Sequence, residues 1–199
     1  MNNQPIIKTF IGAKAPIEIH SLINKLKQDL YFDRINILWE SFNNLHLTFQ
    51  YLGPTLNSEI EKIGNELNKI SKNTNKINLK INSTGIFPHI KRPSIYWLGV
   101  TGEIKKLDHF IKILSQKMIS LGYPYQKNFY KPHITIGKSQ ISKKYYDCQD
   151  FINYKFEEIP FVIDKITIYH TIPNSKEMMY KSIKDFEFET SGKVWLIFL

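Results

Sequence analysis

Residues 44–53 read NLHLTFQYLG, and residues 131–137 read KPHITIG. Each stretch holds a His, one apolar residue and a Thr: His46-Leu47-Thr48 and His133-Ile134-Thr135. Apolar and β-branched neighbours predict a strand at both places. On a strand, residues i and i+2 share a face, about 6.6 Å apart at ~3.3 Å per residue. Each stretch therefore sets an imidazole beside a hydroxyl. Two such faces turned toward one another would supply two titratable rings and two hydroxyl donors. That set suits an anionic phosphorus centre, where one ring takes a proton and the other gives one.

Spacing links the two stretches. His133 follows His46 by 87 residues, and Thr135 follows Thr48 by 87. The same shift carries Phe10-Ile11-Gly12 onto Trp97-Leu98-Gly99 and Leu26 onto Ile113. Several landmarks in one order at one offset predict a duplicated unit, with lobes at 5–82 and 94–170 and closing strands over 178–199. Duplicated units commonly pack about a pseudo-twofold axis. The expected architecture is α+β, with two antiparallel sheets flanking a central groove, helices outside, and His46 facing His133 across it.

The periodicity fills in the elements. PIIKTFIG (5–12) predicts a first strand, and Ile19, Leu22, Ile23, Leu26 and Leu30 predict an amphipathic helix over 16–30. A short strand is expected at 35–39. Ser58 with Glu61 reads as a capping box for a helix reaching about 71. KINLKIN (76–82) alternates as a strand, and GIFPHIKRP (85–93) reads as a loop. A strand at 94–100 and a helix from 103 to 121, stopping near Gly122, come next. A short helix within 140–152 and a strand over 160–170 follow. Closing strands are expected at 179–186 and 193–199, with a hairpin around Ser191-Gly192.

Composition narrows the function classes. The 199 residues fit one domain or two small lobes, and 42% of them are apolar, enough for a core. No apolar run approaches the ~18–20 residues of a membrane span, and the first residues lack the pattern of a secretory signal. The expectation is a soluble, cytoplasmic protein, with nothing requiring more than a monomer. A single cysteine, Cys148, excludes a disulfide framework. It lies in a polar stretch and reads as incidental. The formal net charge of +9 favours polyanionic partners, although a Lys-, Asn- and Ile-rich composition produces such a charge by itself.

With these residues in place, the chain resembles the 2H phosphoesterase superfamily, and within it the RNA 2′,3′-cyclic phosphodiesterase (2′-5′ RNA ligase-like) branch. NLHLTFQYLG, RPSIYWLGV (92–100), KPHITIGK and a late strand followed by a Tyr-containing one (Tyr169, Tyr180) carry the resemblance, which spans about residues 6–183. It implies a bilobal fold with a V-shaped groove and metal-independent opening of a ribose 2′,3′-cyclic phosphate to a 2′-phosphate. It implies that His46 is the proton donor, His133 the proton acceptor, and that Thr48 and Thr135 bind the phosphate. The pseudo-symmetry makes either histidine order chemically possible. Lys138 stands where the family usually has Arg, giving charge without a bidentate fork. Ser94 replaces another frequent Arg, and the 184–199 tail lies outside the match.

The remaining candidates are fewer. Phe42, Tyr125 and Tyr130 are aromatic residues placed to stack on a base. His20 and His109 fall on predicted helices, His89 in a basic loop, and His170 at a strand end. Zinc needs three or four convergent ligands, and hydroxyls are poor ones, so neither metal nor cofactor is expected. The expected partners are RNA ends or small cyclic nucleotides. An RNA-binding module without turnover is the competing class, and reverse joining by the same site is a third reading. The two-histidine chemistry predicts a bell-shaped pH profile near neutrality.

Overall fold

The computed structural model describes residues 5–30, 37–124, 130–139, 148–174 and 178–189. Its strands are β1 (Ile6–Lys14), β2 (Ile37–Trp39), β3 (His46–Leu56), β4 (Ile77–His89), β5 (Arg92–Gly102), β6 (His133–Ser139), β7 (Ile159–Ile163), β8 (Lys165–Pro173) and β9 (Met178–Glu187). The helices are α1 (Ile19–Asp29), α2 (Ile60–Lys72), α3 (Ile104–Ser120) and the short α4 (Gln149–Ile152).

One continuous sheet replaces the two that the sequence predicts. Its order is β7-β4-β5-β6-β3-β1-β8-β9, with β2 added on β6. All the pairings between these strands are antiparallel. The two halves meet at β3 and β6 through the single register pair Leu47↔Ile134. That pair links the two halves into the one sheet. β4 pairs with β5, and β8 pairs with β1, so each half of the sheet draws strands from both the 5–82 and the 94–170 stretches.

The strand alternation separates two faces. Ile11, Leu47, Leu98, Ile134 and Ile168 enter a core with Ile23 and Leu26 of α1, Ile63 and Leu67 of α2, and Leu107 and Leu114 of α3. These helical residues recur at three- and four-residue spacing, which puts them on the buried side of each helix. Their neighbours in the strands, His46, Thr48, His133 and Thr135, turn to the opposite face.

Several local expectations need correction. Residues 85–93 are not a loop. β4 and β5 form a long hairpin with Pro88 opposite Pro93 and His89 opposite Arg92. Prolines at the tip leave only positions needing no N–H in the ladder, which is why the segment resembles a loop in sequence. The predicted strand 160–170 is two strands, β7 and β8, parted at Asp164. The helix predicted at 58–71 begins at Ile60, after a 3-10 turn over Asn57–Glu59. In that turn Glu59 accepts the backbone N–H of Leu56 at 3.2 Å. Cys148 is fully buried and lies 3.6 Å from the Tyr96 hydroxyl, so its polar neighbours in sequence misstate its environment. Part of the 140–152 segment, the 193–199 strand and the Ser191-Gly192 hairpin lie outside the described residues.

Candidate active site

The central strand pair assembles the site. Leu47 faces Ile134 in an antiparallel register, so His46 falls beside Thr135, and Thr48 beside His133. Cross-strand neighbours lie about 5 Å apart and diagonal ones about 7–8 Å. The four side chains thus form a patch on one face, with the imidazoles on one diagonal and the hydroxyls on the other. His46 and His133 are each partly buried.

Both rings are oriented by the same device. His46 Nδ1 lies 2.6 Å from the Asn44 carbonyl, and His133 Nδ1 lies 2.7 Å from the Lys131 carbonyl. A carbonyl only accepts, so Nδ1 carries the hydrogen in each ring. Nε2 is then the nitrogen left for proton exchange. Asn44 is itself fixed: its side-chain amide donates to the Met178 carbonyl at 2.6 Å, and its Oδ1 accepts the Tyr180 N–H at 3.2 Å. The 3-10 turn Phe42–Asn44 before β3 is thereby tied to the start of β9.

Aromatic rings close in on both histidines. Phe10 is 4.6 Å from the His46 ring, and Tyr180 meets that ring edge-on at 4.9 Å. Tyr169 stacks on Phe10 at 4.9 Å. On the other side Phe87 approaches His133 edge-on at 5.0 Å, and Trp97 lies 6.2 Å away. Burial lowers the proton affinity of both imidazoles, while their carbonyl partners act against it. The surroundings differ in charge. Glu40 raises the proton affinity of His46, which His133 and Lys138 lower, whereas the charge acting on His133 is Lys131, which lowers it.

The other predicted residues fare differently. Lys138 forms an ion pair with Glu40 at 2.6 Å, so a carboxylate already holds its ammonium at the edge of the site. Burial would lower the Lys138 pKa, but the Glu40 bond and charge more than offset it. Phe42 stacks on His20 at 4.1 Å, with Lys27 5.1 Å from its ring centre, and packs against the core rather than the histidine patch. Tyr130 donates its hydroxyl to the Thr48 carbonyl at 3.0 Å, supporting β3 from outside. Tyr125 lies outside the described residues. Ser94 sits exposed in β5. Asn44, Glu40, Phe10 and Lys131 escaped the sequence reading. A His preceded two residues earlier by a free carbonyl has no sequence signature, because any residue supplies that carbonyl. Among the described residues no three His, Cys, Asp or Glu side chains cluster as metal ligands, and no helix is long and apolar enough to cross a membrane.

Residues 16–173 match the family model of the 2′-5′ RNA ligase superfamily, most of the chain. The chain belongs to the 2′-5′ RNA ligase superfamily. Among the relatives in this superfamily, a protein of Aquifex aeolicus named RNA 2′,3′-cyclic phosphodiesterase is 24% identical over 187 residues, covering 91% of this chain and 97% of the relative. A protein of the same name from Thermotoga maritima is 24% identical over 188 residues, covering 92% and 96%. The fold is shared with the protein TT0787 of Thermus thermophilus, with a TM-score of 0.76 at 14% identity, covering 94% of this chain and 100% of that one. It is shared also with E. coli LigT in complex with 3′-AMP, with a TM-score of 0.72 at 17% identity, covering 92% and 99%.

Proposed function

We propose that the protein is a metal-independent RNA 2′,3′-cyclic phosphodiesterase that opens terminal cyclic phosphates to 2′-phosphates. The observation that carries this reading is the histidine patch: two imidazoles on one sheet face, each with Nδ1 committed to a carbonyl two residues back. Relatives named for this activity agree with it.

In this reading His133 Nε2 takes a proton from water as its oxygen attacks phosphorus. The P–O3′ bond breaks, and its electron pair leaves on O3′, which receives the proton of His46 Nε2. The product is a 2′-phosphomonoester, and the rings exchange protons with solvent to reset. Glu40 beside His46 favours a protonated ring, and Lys131 beside His133 favours a neutral one. This asymmetry supports the order donor then acceptor. Thr48 and Thr135 donate to the non-bridging oxygens as charge builds there. Lys138, shared with Glu40, contributes positive potential at the edge.

We read the chain as one domain built from a duplicated unit whose halves exchanged a strand. Under the 87-residue offset, β1, β3 and β4 correspond to β5, β6 and β8. The sheet order is then symmetric about the β3–β6 seam, with β4 and β8 each paired in the other half.

The test is an oligoribonucleotide ending in a 2′,3′-cyclic phosphate, incubated in chelator with wild type, His46→Ala and His133→Ala. Wild type yields the 2′-phosphate, and each substitution lowers kcat by about 10²- to 10⁴-fold, the usual contribution of general acid–base catalysis. Full turnover in both variants would sink the mechanism. Binding by wild type without turnover would favour an RNA-binding module.

A further inference from the structure

A cavity of about 220 Å³ opens beside His46, lined also by Tyr169, Tyr180, Lys165, Thr167, Ser182 and Asp185. At roughly 30 Å³ per water this is room for about seven waters, a space for a ring system rather than an ion. Its far wall is a polar cluster not needed by the chemistry just described. Asp185 Oδ2 accepts from Lys165 Nζ at 2.9 Å, while Oδ1 accepts from Thr167 at 2.8 Å and Ser182 at 3.2 Å. Burial alone would raise the Asp185 pKa, but these three donors outweigh it and keep the carboxylate ionised.

The register shows how the cavity meets the histidine patch. Thr48 lies opposite Gly12, Gly12 opposite Thr167, and Thr167 opposite Asp185. This row crosses the sheet on the histidine face. Gly12 adds no side chain to the row between Thr48 and Thr167. Strands lie about 4.8 Å apart, so the row spans on the order of 14 Å. A phosphate at the patch and its own base at the cluster fit that span.

We propose that this cavity holds the base of the nucleotide carrying the cyclic phosphate, and that Asp185 and Lys165 select guanine. Guanine presents an acceptor, O6, beside two donors, N1–H and N2–H₂, on one edge. An ammonium next to a carboxylate is the complement of that order. Adenine places a donor and then an acceptor there, which meets neither group. Cytosine reverses the sequence. Uracil matches only the first two positions and sets an acceptor against the carboxylate. Asp185 has about four acceptor positions. Three are used, and the longest bond, from the Ser182 hydroxyl, can turn aside to admit the second guanine donor.

This inference rests on the reaction proposed above, and the experiment separates the two. Guanosine and adenosine 2′,3′-cyclic phosphates are compared as substrates of wild type, Asp185→Asn and Lys165→Met. Wild type favours guanosine in kcat/KM on the order of tenfold, as expected when a mismatched edge leaves a charged donor and acceptor facing the wrong partners. Asp185→Asn, nearly isosteric, brings the ratio close to one, and Lys165→Met reduces it by losing the donor to O6. A wild-type ratio near one, or a ratio that survives Asp185→Asn, overturns the proposal. If neither nucleotide is turned over, the reaction is wrong. Calorimetric binding of 2′-GMP against 2′-AMP to the same three proteins then decides the base reading on its own: a guanine preference abolished in Asp185→Asn upholds it, and equal affinities refute it.

Discussion

At the scale of single residues, the proposed mechanism makes the two imidazoles set the pH response. Burial lowers both proton affinities from the ordinary histidine value near 6.5. The reactive form needs one ring protonated and one neutral, so its population peaks between the two lowered values. The maximum of kcat/KM is therefore expected below pH 6.5, not at neutrality as the bare sequence implies. Bound substrate brings an anionic phosphate next to both rings and raises both. The kcat profile should accordingly sit at higher pH than the kcat/KM profile. A kcat/KM maximum above pH 7.5 would contradict the burial argument. Stability follows the same sign. Unfolded rings bind protons near 6.5 and folded ones only at lower pH, so folding is penalised progressively as pH falls through that window and not above it.

At the scale of elements, the close approach of β1 to β3 holds the His46 half of the site. A Cβ on Gly12 would stand 2.6 Å from the Leu47 carbonyl oxygen, a backbone atom that cannot swing away. Gly12→Ala must push the strands apart between His46 and Thr48. The expected cost is about 1–3 kcal/mol of stability, typical of overpacking, with a larger fall in kcat than in KM because the histidine patch loses its geometry. Urea unfolding and steady-state kinetics check both parts. Wild-type stability and kcat in Gly12→Ala would show that the strands yield without cost. The His-x-Thr tripeptides were legible in sequence because a strand has a period of two, and that period alone puts His and Thr on one face. α1, α2 and α3 were legible from their apolar stripes. The β4–β5 hairpin was not, since Pro88 and Pro93 carry the same turn signal at a hairpin tip as in a loop. Phe42 was misplaced because its stacking on His20, 22 residues earlier in the chain, is a tertiary contact without local signal. Base selection by Asp185 and Lys165 was equally hidden. Those residues are 20 apart, and only the β8–β9 register makes them neighbours.

At the scale of the whole molecule, one sheet carries the candidate site at the seam between its halves, and the chain is basic. The net charge is +9. Two of the lysines near the patch are already committed to carboxylates, Lys138 to Glu40 and Lys165 to Asp185. Lys131 instead lies over the Trp97 ring at 4.3 Å, beside His133. If the substrate is an RNA end, as proposed, the surplus charge acts on phosphates farther along the strand. Longer substrates should therefore depend on salt more than mononucleotides. Displacing two or three counterions from single-stranded RNA gives a slope of about −0.7 per phosphate in log–log form. Raising salt from about 50 to 200 mM then lowers kcat/KM about tenfold for an oligonucleotide ending in a 2′,3′-cyclic phosphate. A mononucleoside 2′,3′-cyclic phosphate, with one charge to neutralise, should lose about threefold. Parallel salt titrations of the two substrates decide it. Equal slopes would mean that the basic surface beyond the groove makes no contact with RNA, and the protein would then be a nucleotide-scale enzyme whose charge serves only solubility.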